Sequence, residues 1–185
     1  MRHLSGLPKF THLCNAASQA VPLTLDERAE DVAYLDLEMR DEEGMQPGTG
    51  TWRWTCQSLL RAVAFVDSAV LSGGTVLVNC FAGMNRSGAI LLSWLLMHRN
   101  DGKKSLGFTA EGATSYLRSL EPFALNNQSL LECALAVAMG DEQWLAPSVQ
   151  ETWILKVPER PVGAPSKGVV EEVEEVEAAE LVPLF

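Results

Sequence analysis

The stretch Val76-Leu77-Val78-Asn79-Cys80-Phe81-Ala82-Gly83-Met84-Asn85-Arg86-Ser87-Gly88-Ala89-Ile90 constrains the fold more than any other part of the chain. Val76 to Val78 is a short apolar run that reads as a buried strand. The chain then passes a cysteine and a loop of small residues before entering Ile90 to Met97, which is apolar on all sides. A helix of that kind sits in the middle of a domain rather than on its surface. The order is therefore strand, tight loop, helix N-terminus, with a thiol where the loop starts and a guanidinium where it ends.

Each part suits a bound phosphate. Successive backbone N–H groups in a tight loop make an anion-binding nest, and the first turn of the next helix adds unpaired N–H groups and the positive end of its dipole. Gly83 lets the loop turn without a clash, and the Arg86 fork can hold two phosphate oxygens. The same field favours thiolate over thiol, so Cys80 is expected to be acidic and nucleophilic. Ser87 is placed to donate a hydrogen bond to the sulfur and ease its departure. The bland alternative is a core cysteine with an arginine on the surface.

The pattern Cys80-x5-Arg86-Ser87, with Ala82 and Gly83 in place between a strand and a helix, resembles the signature of the cysteine-based protein phosphatases, most closely their dual-specificity branch. One position departs from it. The family has histidine before the cysteine, and this chain has Asn79, whose amide carries no positive charge and supports the loop only by hydrogen bonding. The resemblance therefore leaves open a phosphate-binding protein with weak or no turnover.

Length and composition set the frame. The 185 residues suffice for one ordinary domain, and 47% hydrophobic content suffices for its core. Cys14, Cys56, Cys80 and Cys133 lie far apart with no metal-type pairing, as reduced thiols of a cytoplasmic or nuclear protein do. No apolar run approaches membrane-spanning length, and no signal-peptide core is present, so no membrane association is expected. The net charge of −10 argues against nucleic acid, although much of it lies in the C-terminal tail.

In chain order, Phe10 to Ala17 reads as a strand and resembles the family's Thr-His-x-x-Asn-Ala segment. The family usually has a further strand and helix before it, so either the sequence starts late or the sheet is a strand or two short. His12 on that strand reads as structural. Val32 to Met39 alternates as a strand and runs into the acidic, Gly/Pro-rich loop from Arg40 to Gly50. The Tyr34-to-Asp41 spacing matches the family's Tyr-x6-Asp, which makes Asp41 the implied general acid, with Glu42 and Asp36 as substitutes; a solvated acidic turn is the alternative. Trp52 to Ser72 is a helix with Leu59, Val63, Val66 and Val70 on one face, Thr51 as its N-cap and Gly73-Gly74 at its end. Trp52 and Trp54 at its start are read as packing.

Thr109 opens a helix with Ala113, Tyr116, Leu117 and Leu120 on one face, broken at Glu121-Pro122. Glu121 stands where the family commonly has arginine. Asn126 or Asn127 caps a last helix, with Leu130, Cys133, Ala134 and Val137 inward and Gly140 at its end. Asn127 matches a position where the family often has an asparagine; it is expected to support the phosphate loop from behind, with helix capping alone as the alternative. Residues 1–145 read as the catalytic-type domain, and 146–185 as a Pro-rich, then acidic, flexible tail.

The resemblance implies a three-layer α/β domain with a mainly parallel central sheet and helices on both faces. It implies an enzyme that hydrolyses phosphotyrosine and phosphoserine/phosphothreonine through a cysteinyl-phosphate. Cys80, Arg86, Asp41 and Ser87 would be catalytic, Phe81, Ala82, Gly83, Met84, Asn85 and Arg86 would bind substrate, and Asn79 and Asn127 would support the loop. No metal or other cofactor is expected, and the partners are phosphorylated proteins. The loop has no lysine, which disfavours phosphoinositides. An RNA 5′-triphosphatase of the same superfamily shares the Asn85-Arg86-Ser87-Gly88 run but would want a basic groove. The oligomeric state is not readable.

Overall fold

The computed structural model describes residues 9–24, 28–98 and 108–140. The segment 146–185, read above as a tail, lies outside them. Among the described residues three strands form one sheet: β1 (His12–Asn15), β2 (Ala33–Asp36) and β3 (Val76–Asn79), in the order β2-β1-β3 and all parallel. Asn15 lies opposite both Asp36 and Asn79, so the three strands end in line. Everything that follows them emerges along one edge, where open α/β sheets build their sites.

The strands are shorter than their hydrophobic patterns. Met39 and Leu37 are buried, yet only Ala33–Asp36 pairs within the ladder. Beyond Asp36 the chain continues extended through Leu37 N–H to Asn15 O at 2.8 Å, an antiparallel bridge between Ala17 and Glu38, and Met39 N–H to Ala16 O at 3.2 Å. Burial alternates past the point where regular pairing stops, which is why the sequence suggests a longer strand.

Among the described residues four helices pack with the sheet: α1 (Gly50–Leu71), α2 (Arg86–Met97), α3 (Ala110–Leu120) and α4 (Gln128–Met139). Thr49, rather than the expected Thr51, caps α1, accepting the Trp52 N–H at 3.3 Å. Both threonines are suited to the job, but the turn at Gly48 (φ 82°) brings the chain to the helix axis two residues earlier. Leu59, Val63 and Val66 are buried as the spacing requires, and Val70 is half-buried. Gly73 ends the helix at φ 77°, and at Gly74 an added Cβ would lie 2.6 Å from Thr11 Oγ1. The return into β3 therefore depends on that close approach.

Helix α2 is the internal pillar. From Ser87 through Leu96 only Leu91 escapes full burial, and the helix packs against α4, α1 and α3. It starts at Arg86, earlier than the apolar signal at Ile90, because Ser87, Gly88 and Ala89 are small rather than apolar. Each buried leucine or isoleucine here contributes about 1.5–3 kcal/mol. In α3 Ala113 and Leu117 are buried while Tyr116 and Leu120 are half-buried; in α4 Leu130, Cys133, Ala134 and Val137 all face the core. The four cysteines are buried free thiols. Among the described residues no helix is long and apolar enough to cross a membrane.

Candidate active site

The site lies where β3 hands over to α2. Cys80 leaves the sheet edge only 8% exposed, and the loop turns back at Gly83, whose φ of 74° favours glycine. Cys80 Sγ is 3.3 Å from Ser87 Oγ. Burial pushes the thiol's pKa up, but the Ser87 hydroxyl and the N–H groups of Ser87, Ala82 and Gly83 all donate toward the sulfur and outweigh it. The net direction is down, toward thiolate. Cys14 shows the contrast: burial, then the nearby Asp36, push its thiol up to about 12.

Arg86 opens α2 and is largely covered, its side chain 12% exposed. Its Nη1 donates to Met39 O at 3.3 Å, and its Nε lies 3.8 Å from Asp41 Oδ2. The extended chain beyond β2 thus delivers the acid loop directly onto the signature loop. Asp41 accepts from Asn127 Nδ2 at 2.8 Å and from Asn85 Nδ2 at 3.2 and 3.3 Å. Beside it a cleft of about 240 Å³ is lined by Gln19, Glu38, Met39, Asp41, Glu42 and Arg86, among others.

Asn127 is 1% exposed and serves several neighbours. Its Oδ1 caps α4 by accepting the Leu130 N–H at 3.1 Å, and its Nδ2 also reaches Glu42 O at 3.1 Å. Asn126 is therefore not the cap. Ser129 Oγ accepts the Met45 N–H at 3.0 Å, so α4's first turn holds the acid loop at two places. The α3–α4 connection holds the signature loop: Leu125 N–H reaches Met84 O at 3.3 Å, and Arg118 fixes that connection through Ala124 O and Leu125 O, each at 3.1 Å. The sequence gives no warning of Arg118, Leu125 or Ser129, since these contacts join segments with no shared local pattern.

The other candidates separate cleanly. Glu42 contributes a backbone carbonyl to Asn127 while its carboxylate pairs with Arg40 at 3.1 Å. Asp36 is taken by Arg28. His12, at the opposite end of β1, meets Thr11 Oγ1 at 2.8 Å and the Phe65 ring, a structural setting. Trp52 is buried in packing, and Trp54, half-exposed, donates to Glu38 O at 3.3 Å. Asn79 Oδ1 is buried without a hydrogen-bond partner among the described residues, so the loop's visible anchors are Leu125 and Asn127. Phe81 points out at 68% exposure, on the loop's open side.

Residues 5–133 match the family model described as dual specificity phosphatase, catalytic domain. The Arabidopsis thaliana protein named dual specificity protein phosphatase 1 is 35% identical over 127 residues, which are 65% of this chain and 52% of that protein. A second Arabidopsis thaliana protein, phosphatidylglycerophosphate phosphatase PTPMT1, is 35% identical over 69 residues, 37% of this chain and 18% of that one. The chain thus spans about half the length of the first relative and less of the second. Among solved structures, human DUSP28 superposes with a TM-score of 0.54 at 21% identity, covering 72% of this chain and 80% of that one. At that identity the likeness speaks for the fold alone.

Proposed function

This chain belongs to the family of dual specificity phosphatase catalytic domains, and from that premise we propose that it hydrolyses phosphotyrosine and phosphoserine/phosphothreonine in proteins through a cysteinyl-phosphate. The observation that carries the reading is the sulfur of Cys80, surrounded by the Ser87 hydroxyl and three loop N–H groups with Arg86 and Asp41 alongside. Cys80 thiolate attacks phosphorus in line, forming the S–P bond as the P–O bond to the side chain breaks. Arg86 and the loop N–H groups hold the equatorial oxygens as charge spreads over them. Asp41, protonated, gives its proton to the departing phenolate or alkoxide. A water then loses a proton to Asp41 and attacks phosphorus, and the thiolate leaves with the Ser87 hydroxyl hydrogen-bonded to it. The proposed partners are phosphorylated proteins of the cytoplasm or nucleus, where buried free thiols stay reduced.

Asn79 favours a second reading. Its buried oxygen, without a hydrogen-bond partner among the described residues, supplies none of the charge a histidine would, which suits a phosphoprotein-binding domain with little turnover. Incubation with para-nitrophenyl phosphate beside Cys80→Ser separates the two. Turnover lost in the variant supports the enzyme; phosphopeptide binding without turnover in the unmodified protein supports the binding domain.

A further inference from the structure

Asn85 occupies the N-cap position of α2 but does not cap it. Asparagine there ordinarily turns its side chain back onto the N–H groups of the first turn. Here the side chain makes no such bond and reaches across to another loop instead. Its Oδ1 accepts the Asn127 backbone N–H at 3.1 Å, while its Nδ2 lies 3.2 and 3.3 Å from the two oxygens of Asp41. The backbone N–H can only donate, so it fixes which end of the amide is oxygen and which faces the carboxylate. One side chain thus joins the signature loop, the acid loop and the start of α4.

Resting on the phosphatase reading above, we propose that Asn85 is a positioning residue that sets the Asp41 carboxylate in register with the phosphate loop. Without it, Asn127 holds one Asp41 oxygen from the α4 side only, and nothing on the signature loop itself hydrogen-bonds the acid among the described residues. The Arg86 Nε contact at 3.8 Å is too long to fix direction. A proton donor misplaced by a fraction of an ångström matters most where the leaving group needs the proton most.

The test compares Asn85→Ala, Asn85→Asp and the unmodified protein on 4-nitrophenyl phosphate and on phenyl phosphate, whose leaving group is the poorer. Cys80→Ser serves as the control for the phosphatase reading. Hydrogen exchange at the Asn127 amide and across residues 41–45 is followed in parallel. In Asn85→Ala, kcat/KM is expected to fall about tenfold further on phenyl phosphate than on the nitrophenyl ester, with faster exchange at Asn127. Asn85→Asp keeps an acceptor for the Asn127 N–H but repels Asp41; it should show the same leaving-group bias with Asn127 exchange unchanged. Equal losses on both substrates, or none, overturn the proposal. Should the unmodified protein prove inactive, the phosphatase reading fails and exchange decides for the tether: faster exchange in Asn85→Ala upholds it, and unchanged exchange ends it.

Discussion

Cys80 differs from the chain's other cysteines in what surrounds its sulfur rather than in how deeply it is buried. Cys14 and Cys56 are fully buried with their thiols pushed up, Cys14 by desolvation and then Asp36, Cys56 by its hydrogen bond with Cys133 and then desolvation. Cys80 is buried as well, but its donors reverse the direction. The expected outcome is that iodoacetamide at neutral pH labels Cys80 selectively in the native protein, read by peptide mass. The sign of the pH dependence follows. Because the folded pKa is below the ordinary thiol value, thiolate persists as pH falls below that value and is lost as pH falls through the lowered one. The labelling midpoint should therefore lie below that of a free cysteine. Ser87→Ala leaves burial opposed only by backbone N–H groups, so its midpoint should rise; an unchanged midpoint would remove the hydroxyl from the argument.

The acid loop is tied to α4 through Asn127 as well as Ser129, and the asparagine's two duties can be separated. Asn127→Ala removes the α4 cap, worth about 1 kcal/mol, together with the amide's bonds to Asp41 and Glu42. Asn127→Asp keeps an acceptor for the Leu130 N–H but sets a second carboxylate against Asp41. The expected result is that the alanine variant loses about 1–3 kcal/mol in urea unfolding, a buried partner being left unpaired. The aspartate variant should retain the cap and still displace the acid loop, seen as faster proteolysis or exchange near residues 41–45. If both variants match the unmodified protein in stability and exchange, Asn127 does not hold the loop. The cap itself was legible in the sequence because its bond runs only three residues along the chain, Asn127 to Leu130. The contact with Asp41 spans 86 positions and leaves no mark in a single sequence. In the same way the Tyr34–Asp41 spacing picks out an acidic residue that the structure sets beside Arg86, while Arg118 and Ser129 look like ordinary helix residues. Local periodicity revealed the strands and helices; their ends moved wherever burial outran pairing, as at Leu37 and Met39, or small residues hid a helix start, as at Ser87.

Helix α2 carries the core and the site on one rigid element. Its first turn presents Arg86 and Ser87, and its body, with Ile90, Leu92 and Leu95 at 0% exposure, packs against three other helices. Leu95 lies on the order of 13 Å along the axis from Arg86, at 1.5 Å per residue. A cavity there should cost stability without disturbing the sulfur's surroundings. Leu95→Ala is expected to destabilise the domain by about 2–5 kcal/mol, a large share of the roughly 5–15 kcal/mol that such domains have. Calorimetry should show Tm lower by roughly 10 °C or more. At a temperature where the variant is still folded, its Cys80 labelling midpoint should match that of the unmodified protein, because the Ser87 hydroxyl and loop N–H groups are untouched. A Tm that did not move would mean that α2 is not the pillar its burial suggests. A midpoint that rose with the lost core packing would mean that the loop's geometry depends on the far end of the helix, and that the acidity of Cys80 belongs to the whole fold rather than to its immediate donors.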